Sequence, residues 1–284
     1  MSLVYLFTPG DNRSKLEKAA GSDADVVIID LEDGVAPECK ASARRQAYAF
    51  LEEKRREAGR NNSFVIRCNP ANSPHFAEDM RLVRECGAVG AMIPKCESAD
   101  ELRTANEAAP LAELIPLIES ARGVQQVEGI GTASNRIRRV AFGAVDFALD
   151  IGADWSESGE ERVYAMGRIV LLSRVAELEP PIDAVFPLLD AKESFMRDAE
   201  LGKRIGFYGK MIIHPRHIDW VRDAYRIPEE EMDWCRNAVR LYESMHSGGS
   251  VQLEGRLIDL PVYVRAKRKL GDLVAQREGG SAAD

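Results

Sequence analysis

The sequence predicts an α/β fold, specifically a (β/α)8 TIM barrel with a C-terminal helical and hairpin appendage, and three observations carry that expectation. Short apolar runs rich in β-branched residues recur along the chain, longer amphipathic stretches separate them, and eight such rounds are complete before the pattern changes after Tyr225. An open doubly wound sheet is the alternative, because periodicity alone does not show closure.

In chain order the predicted strands are Val4–Phe7, Val26–Asp30, Phe64–Arg67, Ala91–Pro94, Leu114–Ile118, Val140–Gly143, Ala184–Phe186 and Met211–Ile213. The helical patterns that follow them are Arg13–Ala20, Lys40–Ala58, Ala77–Cys86, Ala99–Ala108, Ala121–Ile130, Glu160–Glu177, Ala191–Leu201 and His217–Tyr225. Beyond these lie a helix starting near Pro228, a break at Gly248-Gly249, a strand pair within Val251–Ile258 and a last helix from Pro261. The expected organisation is a barrel over 1–226, an appendage over 227–276 and a flexible tail over 277–284, where Gly279-Gly280-Ser281 interrupts any apolar periodicity.

Composition narrows the function classes. The chain has 284 residues, 45% hydrophobic and 30% charged, which suits a globular domain with a sizeable core. A formal charge of -8 argues against nucleic acid as the main partner, since phosphate binding needs a basic face. No apolar run approaches the roughly 20 residues of a membrane span, and no basic region leads into a signal core. The five cysteines, Cys39, Cys68, Cys86, Cys96 and Cys235, show no paired spacing, so a reducing, cytoplasmic location is expected. Two glycine-rich stretches, Gly129–Thr132 and Gly206–Lys210, lack the third glycine of a dinucleotide fingerprint and the Ser or Thr of a P-loop respectively.

In a parallel barrel the C-terminal strand ends form the active face, and here they are polar. The second strand ends in Asp30-Leu31-Glu32-Asp33, the third in Arg67, the fourth in Lys95, the fifth in Glu119; Asp146, Asp190 and His214 follow the last three. Glu119 and Asp146 close adjacent strands, so their carboxylates can converge on a hard divalent cation such as Mg²⁺. The alternative is a helix cap for Glu119 and a turn acid for Asp146. Arg67 offers a planar fork to a carboxylate or oxyanion, or else a structural ion pair with Glu32 or Asp33. Lys95 is a candidate substrate cation at the rim. His214 is expected to be structural, and Cys68 a small neighbour of Arg67.

Several ordered motifs then resemble a known family. Leu6–Asp11, Asp30–Pro37, Ile93–Ser98, Leu117–Val124, Phe142–Asp146, Gly206–Lys210 and Ile213-His214-Pro215 are together similar to the citrate lyase beta subunit and its malyl-CoA and citramalyl-CoA lyase relatives, from about Leu6 to Leu270. The resemblance implies a carbon–carbon lyase that cleaves a 3-hydroxy-acyl thioester into a 2-oxo acid and acetyl-CoA. It implies Mg²⁺, replaceable by Mn²⁺, on Glu119 and Asp146; Arg67 on the 2-oxo acid; and Glu32 and Asp33 orienting water around the metal. It also points to Asp259, in Leu257-Ile258-Asp259-Leu260-Pro261, as a catalytic acid reaching the site of a neighbouring subunit in a homotrimer or a multiple of one. A citryl-acyl carrier protein lyase subunit and a malyl-CoA-type thioesterase are the alternatives. The chain departs from the family at Val145, where an acid is common, and at Leu3-Val4-Tyr5, where an Arg-Ser pair is usual.

Overall fold

The computed structural model describes residues 1–56, 63–86, 90–245 and 249–280, with side chains to residue 271. The chain divides into two compact units, Ser2–Tyr225 and, together with Met1, the residues from Arg226 onward.

In the first unit β1 (Val4–Pro9), α1 (Arg13–Ala20), β2 (Val26–Asp30), α2 (Lys40–Arg55), β3 (Ser63–Arg67), α3 (Phe76–Cys86), β4 (Gly90–Ile93) and α4 (Ala99–Ala108) come first. They are followed by β5 (Glu113–Ile118), α5 (Ala121–Gly131), β6 (Ala141–Phe142), α6 (Ala144–Asp150), α7 (Val163–Val175), α8 (Lys192–Ile205), β7 (Lys210–Ile212) and α9 (His217–Tyr225). The strands make a curled, seven-stranded parallel sheet in the order β6-β5-β4-β3-β2-β1-β7. Helix starts follow local chemistry: Asn12 caps α1 by accepting from Lys15 N, Ser98 and Glu101 form a capping box on α4, and Ser120 caps α5 through Gly123 N.

Alternation along the strands separates two apolar clusters. Tyr5, Val26, Ile28, Val65, Met92, Ile115, Leu117, Ala141, Ile182 and Met211 pack on the inner face of the curl, with Phe7 and Val185 against them. Val4, Leu6, Val27, Ile29, Ile66, Leu114 and Ile118 pack on the other face with helix residues such as Phe50, Val124 and Phe195. Two positions beyond the inner residues Ile28, Val65 and Leu117 stand Asp30, Arg67 and Glu119, so the same alternation aims those three inward at the strand ends.

Two expectations need correction. The predicted seventh strand, Ala184–Phe186, does not form; the pairing falls earlier, as isolated parallel bridges from Ile182 to Ala141 and from Asp183 to Lys210. Its backbone reason is local. Pro181 has no N–H to give a ladder, and Ala184 N donates 2.9 Å to the Asp183 side chain, which ends the pairing after two residues. The segment after β6, for which no helix is predicted before Glu160, is the seven-residue helix α6, and Asp146 lies in its first turn. Residues 57–58 of the second predicted helix lie outside the described residues.

In the second unit α10 (Glu229–Glu243) precedes an antiparallel pair, β8 (Val251–Leu253) and β9 (Arg256–Ile258), and α11 (Leu260–Gly280). Cys235, Ala238, Ile258 and Ala266 form its small core. Residues 277–280 of the expected tail continue α11, whereas Gly248 and residues 281–284 lie outside the described residues. Among the described residues no helix is long and apolar enough to cross a membrane.

Candidate active site

The loop after β2 is built around Asp30. One carboxylate oxygen accepts from Glu32 N at 2.8 Å and the other from Gly34 N at 2.9 Å. A Cβ on Gly34 would sit 2.4 Å from Asp30 Oδ2, so only glycine lets the loop fold this closely over the carboxylate. From outside, the buried Lys40 ammonium donates to Leu31 O and Glu32 O, both at 2.7 Å, and Asn69 Nδ2 donates to Leu31 O at 3.0 Å. Asn69 is itself fixed by the fully buried Asp79, which pairs with Arg44. The loop that presents Glu32 and Asp33 is thus held on both sides.

Arg67 is the cross-strand partner of Asp30, and its Nε and Nη2 donate to the two Asp30 oxygens at 2.8 and 2.7 Å. Its guanidinium lies 4.8 Å from the centre of the Phe7 ring. Nη1 stands 3.0 Å from Glu32 Oε2, close in charge but without an aligned hydrogen bond, so this buried oxygen has no hydrogen-bond partner. Lys95 Nζ donates to Glu32 Oε1 at 2.7 Å and lies 3.6 Å from Asp33 Oδ2. Burial pushes the Glu32 carboxyl up, against the pull of Arg67 and Lys95. Burial works against the charge on Arg67, but the Asp30 hydrogen bonds and the charges of Glu32 and Glu119 overcome it and raise its pKa.

Glu119 follows β5 and is almost wholly buried. Lys95, in the left-handed region at φ 51°, turns its backbone N–H to Glu119 Oε1 at 2.6 Å. Beneath it is Gly143, where a Cβ would stand 2.5 Å from Glu119 Oε2. Burial, with the negative charges of Glu32 and Asp146, pushes the Glu119 carboxyl up to about 8, although Lys95 N–H and Arg67 pull the other way.

The structure therefore brings Glu32, Asp33, Arg67, Lys95 and Glu119 into one contact network and sets Asp146 within electrostatic reach of Glu119. Asp259 belongs to the second unit, where its carboxylate accepts from Val262 N at 3.1 Å at the start of α11. His214 Nδ1 accepts from Arg216 N, and Cys68 is buried with its thiol pushed well up. Asp30, central to the geometry, was not singled out by sequence reasoning; the signal for it was its place two residues past Ile28 on the inner face.

Among the described residues no three Asp, Glu, His or Cys side chains form a ready metal cage. The donor chemistry still fits a hard divalent cation that takes part of its coordination from water or substrate. Glu119 is crowded by like charge, and the neighbouring Glu32 Oε2 is buried without a hydrogen bond.

Comparison with known proteins gives the relatives of the chain as a whole. The family model for HpcH/HpaI aldolase/citrate lyase matches residues 3–215. The chain is 30% identical to citrate lyase subunit beta of Leuconostoc mesenteroides subsp. cremoris, over 93% of this chain and 91% of that one. It is 30% identical to L-malyl-CoA/beta-methylmalyl-CoA lyase of Rhodobacter capsulatus, over 92% and 91%, and 26% identical to (3S)-malyl-CoA thioesterase of Cereibacter sphaeroides (strain ATCC 17023), over 93% and 92%. Among solved structures, CitE from Mycobacterium tuberculosis in complex with magnesium, acetoacetate and coenzyme A aligns with a TM-score of 0.81 at 30% identity, covering 95% of this chain and 97% of that one.

Proposed function

The chain belongs to the HpcH/HpaI aldolase/citrate lyase family, and from that premise we propose that it is a magnesium-dependent carbon–carbon lyase acting on a coenzyme A thioester of a small 3-hydroxy diacid. The observation that carries the proposal is Glu119. It is a buried carboxylate at a strand end, crowded by Glu32 and Asp146 and facing Arg67. In this reading the ring is a closed (β/α)8 barrel whose eighth stave is Ile182-Asp183, supported by their bridges to β6 and β7.

Glu119 and Asp146 would hold Mg²⁺, which when bound supplies Lewis-acid stabilisation of developing negative charge. Glu32 and Asp33 orient water around it. Arg67 binds the 2-oxo acid half and stabilises the oxygen as the hydroxyl gives its proton to a water held by Glu32 and Asp33. The electrons of the breaking C–C bond then pass to the thioester half as an enolate. Asp259, contributed by a neighbouring subunit of a homotrimer or a multiple of one, gives that enolate carbon its proton, and acetyl-CoA leaves.

Lys95 bears on substrate size. Its ammonium is already shared between Glu32 and Asp33, so it is not a spare cation for the additional carboxylate of a citryl thioester. Malyl-CoA and citramalyl-CoA fit this reading better. Thioester hydrolysis is the second reading, favoured by the similarity to a malyl-CoA thioesterase. A citryl-acyl carrier protein lyase subunit is the third, favoured by the similarity to citrate lyase subunit beta. The five cysteines, all free, suit a reducing cytoplasm.

The test is product analysis of the isolated protein with Mg²⁺ and a panel of coenzyme A thioesters. Glyoxylate from malyl-CoA or pyruvate from citramalyl-CoA, matched by acetyl-CoA and abolished by chelation, is expected. Free coenzyme A without an oxo acid would identify a thioesterase, and turnover only of citryl-acyl carrier protein would identify the third reading.

A further inference from the structure

We propose that Asp30 is a positioning residue for Arg67: it grips the Nε–Nη2 edge of the guanidinium and so fixes the aim of the remaining terminal N–H groups, with Nη1 held 3.0 Å from Glu32 Oε2. The inference rests on the reading of Arg67 as the oxo-acid contact, and it adds how that contact is aimed. Asp30 and Arg67 are paired across adjacent parallel strands, and the two hydrogen bonds, at 2.8 and 2.7 Å, form a bidentate clamp. The clamp is rigid because both carboxylate oxygens have second donors, Glu32 N and Gly34 N at 2.8 and 2.9 Å. Rotation of the carboxylate would break four hydrogen bonds together. Phe7 beneath the guanidinium sets its plane.

One carboxylate thus ties Arg67 on β3 to the loop that carries Glu32 and Asp33, so that both sides of the site move as one piece. Only a carboxylate can do this. An amide has a single acceptor oxygen; in either orientation its NH2 would face one Arg67 donor and one backbone N–H. Asp30→Asn therefore keeps the shape and loses half the clamp.

The test uses the full chain labelled with ¹⁵N-arginine. The Arg67 Nε–H resonance, identified by its absence in Arg67→Lys, is expected to be sharp and slowly exchanging in the wild type and broadened or fast-exchanging in Asp30→Asn. On malyl-CoA, Asp30→Asn is expected to lower kcat/KM by about 100-fold, the scale of an ångström-level misplacement. Adding Asp30→Asn to Arg67→Met should then cost little further activity, because the aspartate acts through the arginine. If Asp30→Asn does not fold, Gly34→Ala, whose methyl would meet Asp30 Oδ2 at 2.4 Å, displaces the same carboxylate and should broaden the same resonance. A protected Arg67 Nε–H in folded Asp30→Asn, or losses from Asp30 and Arg67 that multiply independently, would overturn the proposal. A wild type inactive on every thioester would refute the lyase reading instead, and the arginine resonance still decides the role of Asp30.

Discussion

Replacing Glu119 by Gln should make the metal-free protein more stable, and the structure gives the size of the effect. The carboxyl has an ordinary value of 4.5 and is pushed up to about 8 by burial and by the charges of Glu32 and Asp146. At pH 7 an unfolded chain ionises this group while the folded chain resists doing so, a penalty of about 3 kcal/mol. The sign follows from the raised value. Below about 4.5 both states are protonated and nothing is lost; stability then falls as pH rises and levels off above about 8. The penalty reaches about 4 kcal/mol at pH 8; Gln keeps an oxygen for Lys95 N–H, in a bond weaker by about 1 kcal/mol, and carries no charge, so Glu119→Gln should gain roughly 3 kcal/mol at pH 8 and almost nothing at pH 4. Urea unfolding of chelator-treated protein, followed by Trp155 and Trp220 fluorescence in the first unit, measures the difference. Added Mg²⁺ should stabilise the wild type and not the variant, since only the wild type gains a folded-state ligand. A variant equal to or weaker than the wild type at pH 8 without metal would show that the Glu119 carboxylate is not strained, and the crowding argument for a cation would fall with it.

Gly143→Ala should weaken Mg²⁺ binding at least tenfold without unfolding the chain, because its methyl would stand 2.5 Å from Glu119 Oε2 and drive that oxygen aside; unchanged affinity by calorimetry would refute this. Lys210→Met should destabilise the first unit by about 3–5 kcal/mol, since the fully buried ammonium holds Asp183 at 2.6 Å and Asp198 at 2.7 Å and its loss leaves Asp183 buried without a cation and Asp198 with Arg162 alone. A loss under about 1 kcal/mol in urea would show that Arg162, also on Asp198, suffices. Mixing inactive Asp259→Asn with inactive Glu119→Ala protein should restore part of the activity if sites are shared between subunits. Demonstrated subunit exchange with no recovery would confine Asp259 to its own chain or remove it from the reaction.

Much of this site is legible in the sequence because it obeys a period. Ile28, Val65 and Leu117 mark the inner face, and a step of two along each strand lands on Asp30, Arg67 and Glu119, so the converging polar ends can be found without coordinates. What has no period is harder to see. The pairing at Ile182-Asp183 spans two residues, too few to alternate, and the apolar Ala184–Phe186 beside it imitates a strand better than the bridging residues do. Helix α6 has seven residues, less than the length over which a helical stripe can be told from a turn. Lys40 opens a helix in the sequence, but its ammonium holds two carbonyls of the β2 loop. Lys210 ends a stretch that fails as a phosphate loop, and in the fold it is a buried cation shared by Asp183 and Asp198. Asp30 follows the same logic. In the sequence it is one of three acids at the end of the second strand, whereas strand register sets it beside Arg67, where both its oxygens are taken by that guanidinium and by the loop backbone.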